Sequence, residues 1–120
     1  MVSTSRPVEA WSFPASLDAL IAAPNHHTLI FENDYVRVLD VHIPAGDTVP
    51  LHTHCWPSVL HLMQWANFIR RDEHGNTVSD TRRDEPPQVP CTMWSEAFPP
   101  HSVENVDSME FRGIAVEIKR

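Results

Sequence analysis

The sequence predicts an all-β domain of antiparallel strands, a sandwich or barrel, carrying one short helix near its N-terminus. Two observations point there. From His27 onward, short runs of β-branched and large apolar residues recur between turn-forming clusters. Eleven prolines against three glycines also leave few stretches in which a helix could propagate.

The elements follow in order. "SLDALIAA" (residues 16–23) has a Ser to cap a helix, an acidic residue in the first turn and a proline after it. So short a helix is expected to pack on the outside of the domain. "HTLIFE" and "YVRVLDVHI" read as strands separated by "ND", and "PAGD" turns the chain into "TVPLHTH". "SVLHLMQWANFIRR" (residues 58–71) contains neither proline nor glycine and reads as one long bent strand, because "DEHGN" follows as a hairpin turn and "TVSDTRR" as the returning strand. "EPPQVPCTMWSEAFPP" (residues 85–100) reads as loops and an edge-like strand. "VPCTMW", "HSVENV" and "EFRGIAVEIK" complete the set. Residues 1–24 are expected to form an N-terminal extension and residues 25–120 the domain.

Composition bounds the function. A chain of 120 residues suffices for one core. The formal net charge of -7 disfavours duplex nucleic acid and anionic membrane as partners, since both reward excess Lys and Arg. No apolar run approaches a bilayer span, and "MVSTSRPVEAW" lacks the apolar core of a signal peptide. Two cysteines, Cys55 and Cys91, are too few for a disulfide framework, so a cytoplasmic protein is expected; their spacing leaves a Cys55–Cys91 bridge open.

The chemistry-bearing feature is "LHTH". With eight His in the chain, chance alone would place a His-x-His triple about half the time, so spacing is weak evidence by itself. Strand geometry gives it content. Side chains at i and i+2 leave one face of a strand about 6–7 Å apart, and two imidazoles so placed can share a metal ion at about 2.0–2.1 Å from each nitrogen. A third ligand must come from another strand, and His101, in "PPHSVEN" after a proline turn, is the candidate.

Together, "GDTVPLHTH", of the form Gly-x5-His-x-His, and "HSVEN", of the form His-x3-Asn, resemble the two motifs of the cupin superfamily, and the chain looks closest to its small single-domain bacterial members. The resemblance runs from about Asn25 to Lys119. It implies a jelly-roll β-barrel, often dimeric, with a metal inside, and it carries the ligand roles to His52, His54 and His101. A homodimer is therefore expected. Departures from the motifs are informative. The family's glutamate ligand would fall at Ser58 or Val59, the closing glycine of the first motif is Ala66, and Pro90, Glu96 and Phe98 stand where the second motif has Gly, Pro and Gly.

Without that glutamate the metal keeps its full +2 charge among neutral imidazoles, which favours an anionic chelating ligand. Three-His cupins include thiol and β-diketone-cleaving dioxygenases, so the resemblance implies an Fe(II) dioxygenase of small anionic chelators; Zn, Ni and Cu also suit imidazole. A non-catalytic cupin that binds or senses a small ligand is the alternative. If Val59 faces inward, His61 and Met63 do too, making His61 a donor behind the metal or an occasional fourth ligand, or else an ordinary core histidine. Glu96, just before His101, is a base or substitute ligand, or else a solvated turn carboxylate. Val59, Met63, Met93, Trp94, Phe98 and Phe111 are expected to wall the substrate pocket. Cys55 reads as packing, and His26, His27, His42 and His74 as structural or exposed.

Overall fold

The computed structural model describes residues 11–119. The expected N-terminal extension therefore lies partly outside the described residues. Among these, nine strands form two antiparallel sheets that share one interior: β1 His27–Glu32, β2 Val36–Ile43, β3 Thr48–His54, β4 Ser58–Gln64, β5 Phe68–Asp72, β6 Thr77–Asp80, β7 Cys91–Ser95, β8 Phe98–Asn105 and β9 Phe111–Ile118. One sheet has the order β1-β2-β9-β4-β7 and the other β3-β8-β5-β6. Residues of both sheets line the same cavity.

Period-two burial explains which faces meet. In β9, Phe111, Gly113, Ala115 and Glu117 are buried while their alternates are half-exposed. Val49, Leu62, Ala66, Val103 and Phe111 build the core with Ile43 and Ala23. The "PAGD" turn closes with a hydrogen bond from the Asp47 amide to the Pro44 carbonyl, and Gly46 supplies the positive φ of 80° that it needs. Asn105 holds that turn from beneath: its buried amide donates to the carbonyls of Ile43, Pro44 and Met109. The Asn of "HSVEN" is therefore a turn anchor.

Three expectations change. The helix is interrupted. A 3-10 turn at Ala15–Leu17 gives way at Asp18, whose carboxylate caps a four-residue helix α1, Ala19–Ala22, by accepting from the Leu20 amide. Nor does it lie on the outside, since Ala19 and Ala23 are fully buried, Asp18 forms a parallel bridge with Thr53, and α1 contacts both β1 and β3. The "long bent strand" is two strands in different sheets, β4 and β5, with the chain crossing over at residues 65–67. Its apolar content suits either description; the break comes where Ala66 turns into the core and the Asn67 amide donates to Asp107.

The third change is parity. Ser58, Leu60 and Leu62 of β4 face the interior, so Val59, His61 and Met63 face out. On that outer face the register aligns Phe31, Val38, Val116, Val59 and Trp94 in one row across all five strands. Cys55 and Cys91 are free. No helix among the described residues is long and apolar enough to cross a membrane.

The parity assignment has a direct test. Leu62, 1% exposed, should lose about 2–5 kcal/mol on replacement by Ala. Val59→Thr, at an exposed position of the same strand, should stay within about 0.5 kcal/mol. Chemical denaturation measures both, and equal losses would reverse the assignment.

Candidate metal centre

The cavity lies between the two sheets, lined by residues of both, with His27 of β1 and the histidines of β3 and β8 on its wall. The register of β3 against β8 sets His52 directly opposite His101, and their rings lie 4.3 Å apart between centroids. His54, two residues along β3, has its ring 4.9 Å from that of His52 and 5.7 Å from that of His101. From the other sheet, His27 opens β1 with its ring 4.9 Å from His52 and 5.3 Å from His54. Four imidazoles thus converge. Within this group, ring nitrogens of His27, His52 and His54 all lie within 4.8 Å of one another.

Hydrogen bonding decides which nitrogens are available. Nδ1 of His27 donates to the Ala23 carbonyl at 3.0 Å, Nδ1 of His52 to the Pro50 carbonyl at 2.8 Å, and Nδ1 of His101 to the Pro99 carbonyl at 2.8 Å. Nδ1 of His54 donates to Oε2 of Glu117 at 2.9 Å. A carbonyl or carboxylate oxygen can only accept, so the proton sits on Nδ1 in all four rings. Nε2 is then the nitrogen left to face a ligand. Pro50 and Pro99 play the same local part: each supplies the carbonyl, two residues before the histidine, that holds its ring.

Burial keeps three of these rings neutral. Desolvation, helped by neighbouring imidazoles, lowers His52 to about 2. Burial likewise lowers His101 to about 3 and His27 to about 4, with His54 adding to both. Neutral imidazole with Nδ1 tied back is the form that metals bind, and the tie fixes ring orientation. The donor set therefore fits a divalent transition ion.

Behind His54 lies a buried charge network. Glu117, 1% exposed, accepts from Arg37 Nε at 2.7 Å through Oε1 and from His54 through Oε2. Arg37 also forks onto both oxygens of Asp18, at 2.8 and 3.0 Å, and lies over the Trp56 ring. Two carboxylates and one guanidinium leave one formal negative charge, placed one imidazole away from the ligand nitrogens. Both oxygens of Glu117 are engaged, so it acts through His54.

The sequence-derived site is corrected on several points. His52, His54 and His101 line one cavity, but the three residues with ring nitrogens all within 4.8 Å of one another are His27, His52 and His54, so His27 stands where His101 was expected as third ligand. Glu96, Phe98 and Phe111 line the cavity with Leu60, Phe68 and Arg70. Val59, Met63 and Trp94 do not, because each is exposed on the outer face, and Met93, opposite the inward-facing Leu60 on the edge strand β7, is exposed and does not line the cavity either. His61 is also exposed and contacts the Thr92 hydroxyl, so it is neither a core histidine, nor a donor behind the metal, nor a fourth ligand. Glu96 accepts from Trp94 Nε1 at 2.7 Å, which fixes Oε2. His27, read from sequence as structural or exposed, and Glu117, unremarked there, were missed. Glu117 was within reach, because it continues the inward series Phe111, Gly113, Ala115 by one step. Nothing local marks His27; only the packing of β1 beside β3 does.

Comparison with known proteins agrees on the architecture. No family model matches the chain, and no curated protein matches it. Solved structures do. A cupin domain from Bordetella pertussis Tohama I superposes with a TM-score of 0.63 at 21% identity, over 78% of this chain and 92% of that one. The chain has the cupin fold. An RmlC-like cupin with a double-stranded β-helix from Methanocaldococcus jannaschii gives 0.54 at 11% identity, covering 77% of each chain. The polyketide cyclase RemF of Streptomyces resistomycificus gives 0.51 at 13%, over 78% of this chain and 64% of that one. At these identities the likeness is one of fold, and the cupin site of this chain rests on its own residues.

The buried imidazoles make stability depend on pH. An unfolded histidine titrates near 6.5, whereas His27, His52 and His101 take up protons only near 4, 2 and 3 in the folded protein. Below about pH 6.5 the unfolded chain therefore binds more protons, and stability falls with pH by up to about 1.4 kcal/mol per pH unit for each of these rings. Thermal melts of metal-free protein from about pH 7 down to about pH 5 should show this loss, with a shallower slope in His101→Gln. A flat profile would contradict neutral burial.

Proposed function

We propose that this chain is a metal-dependent enzyme in which His52 and His54, with His27 and His101, hold a divalent transition metal through Nε2. Its reaction is Fe(II)-dependent dioxygenation of a small anionic chelator of β-dicarbonyl or thiol type. One observation carries the reading: four convergent imidazoles, every Nδ1 tied to an acceptor, in a cavity whose one lining carboxylate among the described residues is Glu96.

When bound, such an ion supplies Lewis acidity and, as Fe(II), the redox chemistry that lets O2 react with an organic anion. The chain's own residues do the rest. An all-imidazole shell leaves the ion's charge uncompensated by direct ligands, so an anion that chelates is the favoured occupant. Glu117 moderates that charge through His54 and holds the ring in place. Leu60, Phe68, Phe98 and Phe111 make the wall apolar and keep water out. Glu96, exposed at the cavity lining and tied to Trp94 through Oε2, is the carboxylate that would take a substrate proton. The cavity, about 110 Å³, suits a small molecule. The fold is known to serve enzymes, RemF among them.

Elemental analysis of protein expressed without added metal, followed by oxygen consumption with Fe(II) over a panel of β-dicarbonyls and thiols, tests this. Bound metal that is lost in a His52→Ala, His54→Ala double variant, together with O2 uptake on at least one panel member, is the expected result. Protein that holds metal but never consumes O2, and retains a small ligand through purification, would replace the enzyme with a binding module. Protein that takes up no metal would reject the metal centre.

A further inference from the structure

Beyond the imidazoles, the cavity contains a cationic side chain that no described residue pairs with. Arg70 lies on β5 with the same inward parity as Phe68, opposite Val103 of β8, and lines the cavity together with His101 and Phe98. Its Nε is buried without a hydrogen-bond partner, and among the described residues its guanidinium makes neither hydrogen bond nor ion pair. The contrast with other arginines of the chain is sharp. Arg37 pairs with Asp18 and Glu117, Arg71 with Glu104, Arg82 with Asp80 and Arg112 with Asp40. The one carboxylate lining the cavity, Glu96, is turned to Trp94 and does not pair with Arg70.

Aromatic rings flank the guanidinium instead. Its carbon lies 4.3 Å from the centroid of the Phe98 ring and 5.1 Å from that of Phe68. Phe98 in turn sits 5.0 Å from the His101 ring. Ring faces attract a cation but accept no strong hydrogen bond, so the five N–H donors of the fork are left for something else. Arg70 is half-buried with its Nε fully so; even partial burial of a cation without a counter-ion is costly, and an apolar residue of similar length would pack there at less cost.

We propose that Arg70 is the anion anchor of the cavity, and that its ligand is a small carboxylate whose planar oxygens take the guanidinium fork while its apolar body lies between Phe68 and Phe98. This rests on the cavity being the ligand site read above, and it narrows the ligand class. One end of the molecule is a carboxylate held by Arg70, and the other reaches the histidines. Guanidinium suits this role because its fork matches a carboxylate in two parallel bonds, which a lysine ammonium does not. A monoanionic substrate is thereby oriented before any metal is engaged, and a neutral isostere is rejected because it leaves the buried cation unpaired.

The test uses metal-free full-length protein, so that it does not depend on metal loading. Butyrate and its neutral isostere butyramide are titrated by calorimetry, and melting temperatures are recorded with and without each. Butyrate should bind and raise the melting temperature, while butyramide does neither. Arg70→Met should lose butyrate affinity by about tenfold to a hundredfold, the worth of a hydrogen-bonded charge pair. It should also melt higher than the parent protein when no ligand is present, because an unpaired buried charge has gone. Arg70→Lys should recover only part of the binding. Equal binding of butyramide and butyrate, unchanged butyrate affinity in Arg70→Met, or a lower ligand-free melting temperature in that variant would each overturn the proposal, the last by showing Arg70 to be a packing residue. Metal content of the parent protein, set beside its preference for butyrate over butyramide, separates the two readings. Metal uptake with no carboxylate selectivity would sink the anchor alone, and carboxylate selectivity without metal uptake would sink the enzyme reading alone.

Discussion

Four Nδ1–H groups, each donating to a fixed oxygen, are the constraint on which the site depends. An imidazole can point either nitrogen at a ligand, and a cluster of four could adopt many mixed arrangements. The carbonyls of Ala23, Pro50 and Pro99 and the carboxylate of Glu117 remove that freedom. They do so from four separate places in the chain. The fold's task is to bring those acceptors to the right depth behind the rings, and the facing pair His52 and His101 shows how directly strand register does it.

The same constraint joins the site to the N-terminal segment. Asp18 caps α1, bridges to Thr53 and grips Arg37, which grips Glu117, which orients His54. Ala23, at the end of that helix, both enters the core and supplies the carbonyl that holds His27. A segment of a few residues thereby sets two of the four rings. Buried ion pairs seldom add much net stability, because desolvation offsets their attraction. Here the network is better understood as a device for placing one negative charge behind a ligand histidine.

Much of this was legible in the sequence, for identifiable reasons. Strand positions follow from local composition, and β1, β3 and β9 fall where their residues put them, because β-branched runs bounded by turn residues carry their own signal. The His-x-His pair is visible for the same reason: i and i+2 on a strand is a local relation. Parity is not local. Nothing in "SVLHLMQ" says whether the odd or even residues face the core, since both series are apolar, and the wrong choice sends His61, Val59 and Met63 inward together. The crossover at residues 65–67 was hidden because no proline or glycine marks it. His27 belongs to the cluster through the meeting of two sheet edges, a relation between residues 25 or more positions apart, and Arg70 stands out only once its lack of a partner can be seen.

Long-range proton–nitrogen correlation spectra of the metal-free protein at about pH 7 test the central claim most directly, because they report the protonated nitrogen of each imidazole. The account predicts that His27, His52 and His101 appear as neutral rings protonated at Nδ1, and that Nδ1 of His54 carries its proton in a hydrogen bond. Spectra showing Nε2–H tautomers for His52 and His101, or imidazolium at either, would mean that the nitrogens facing the cavity are blocked, and the metal centre would fall with them.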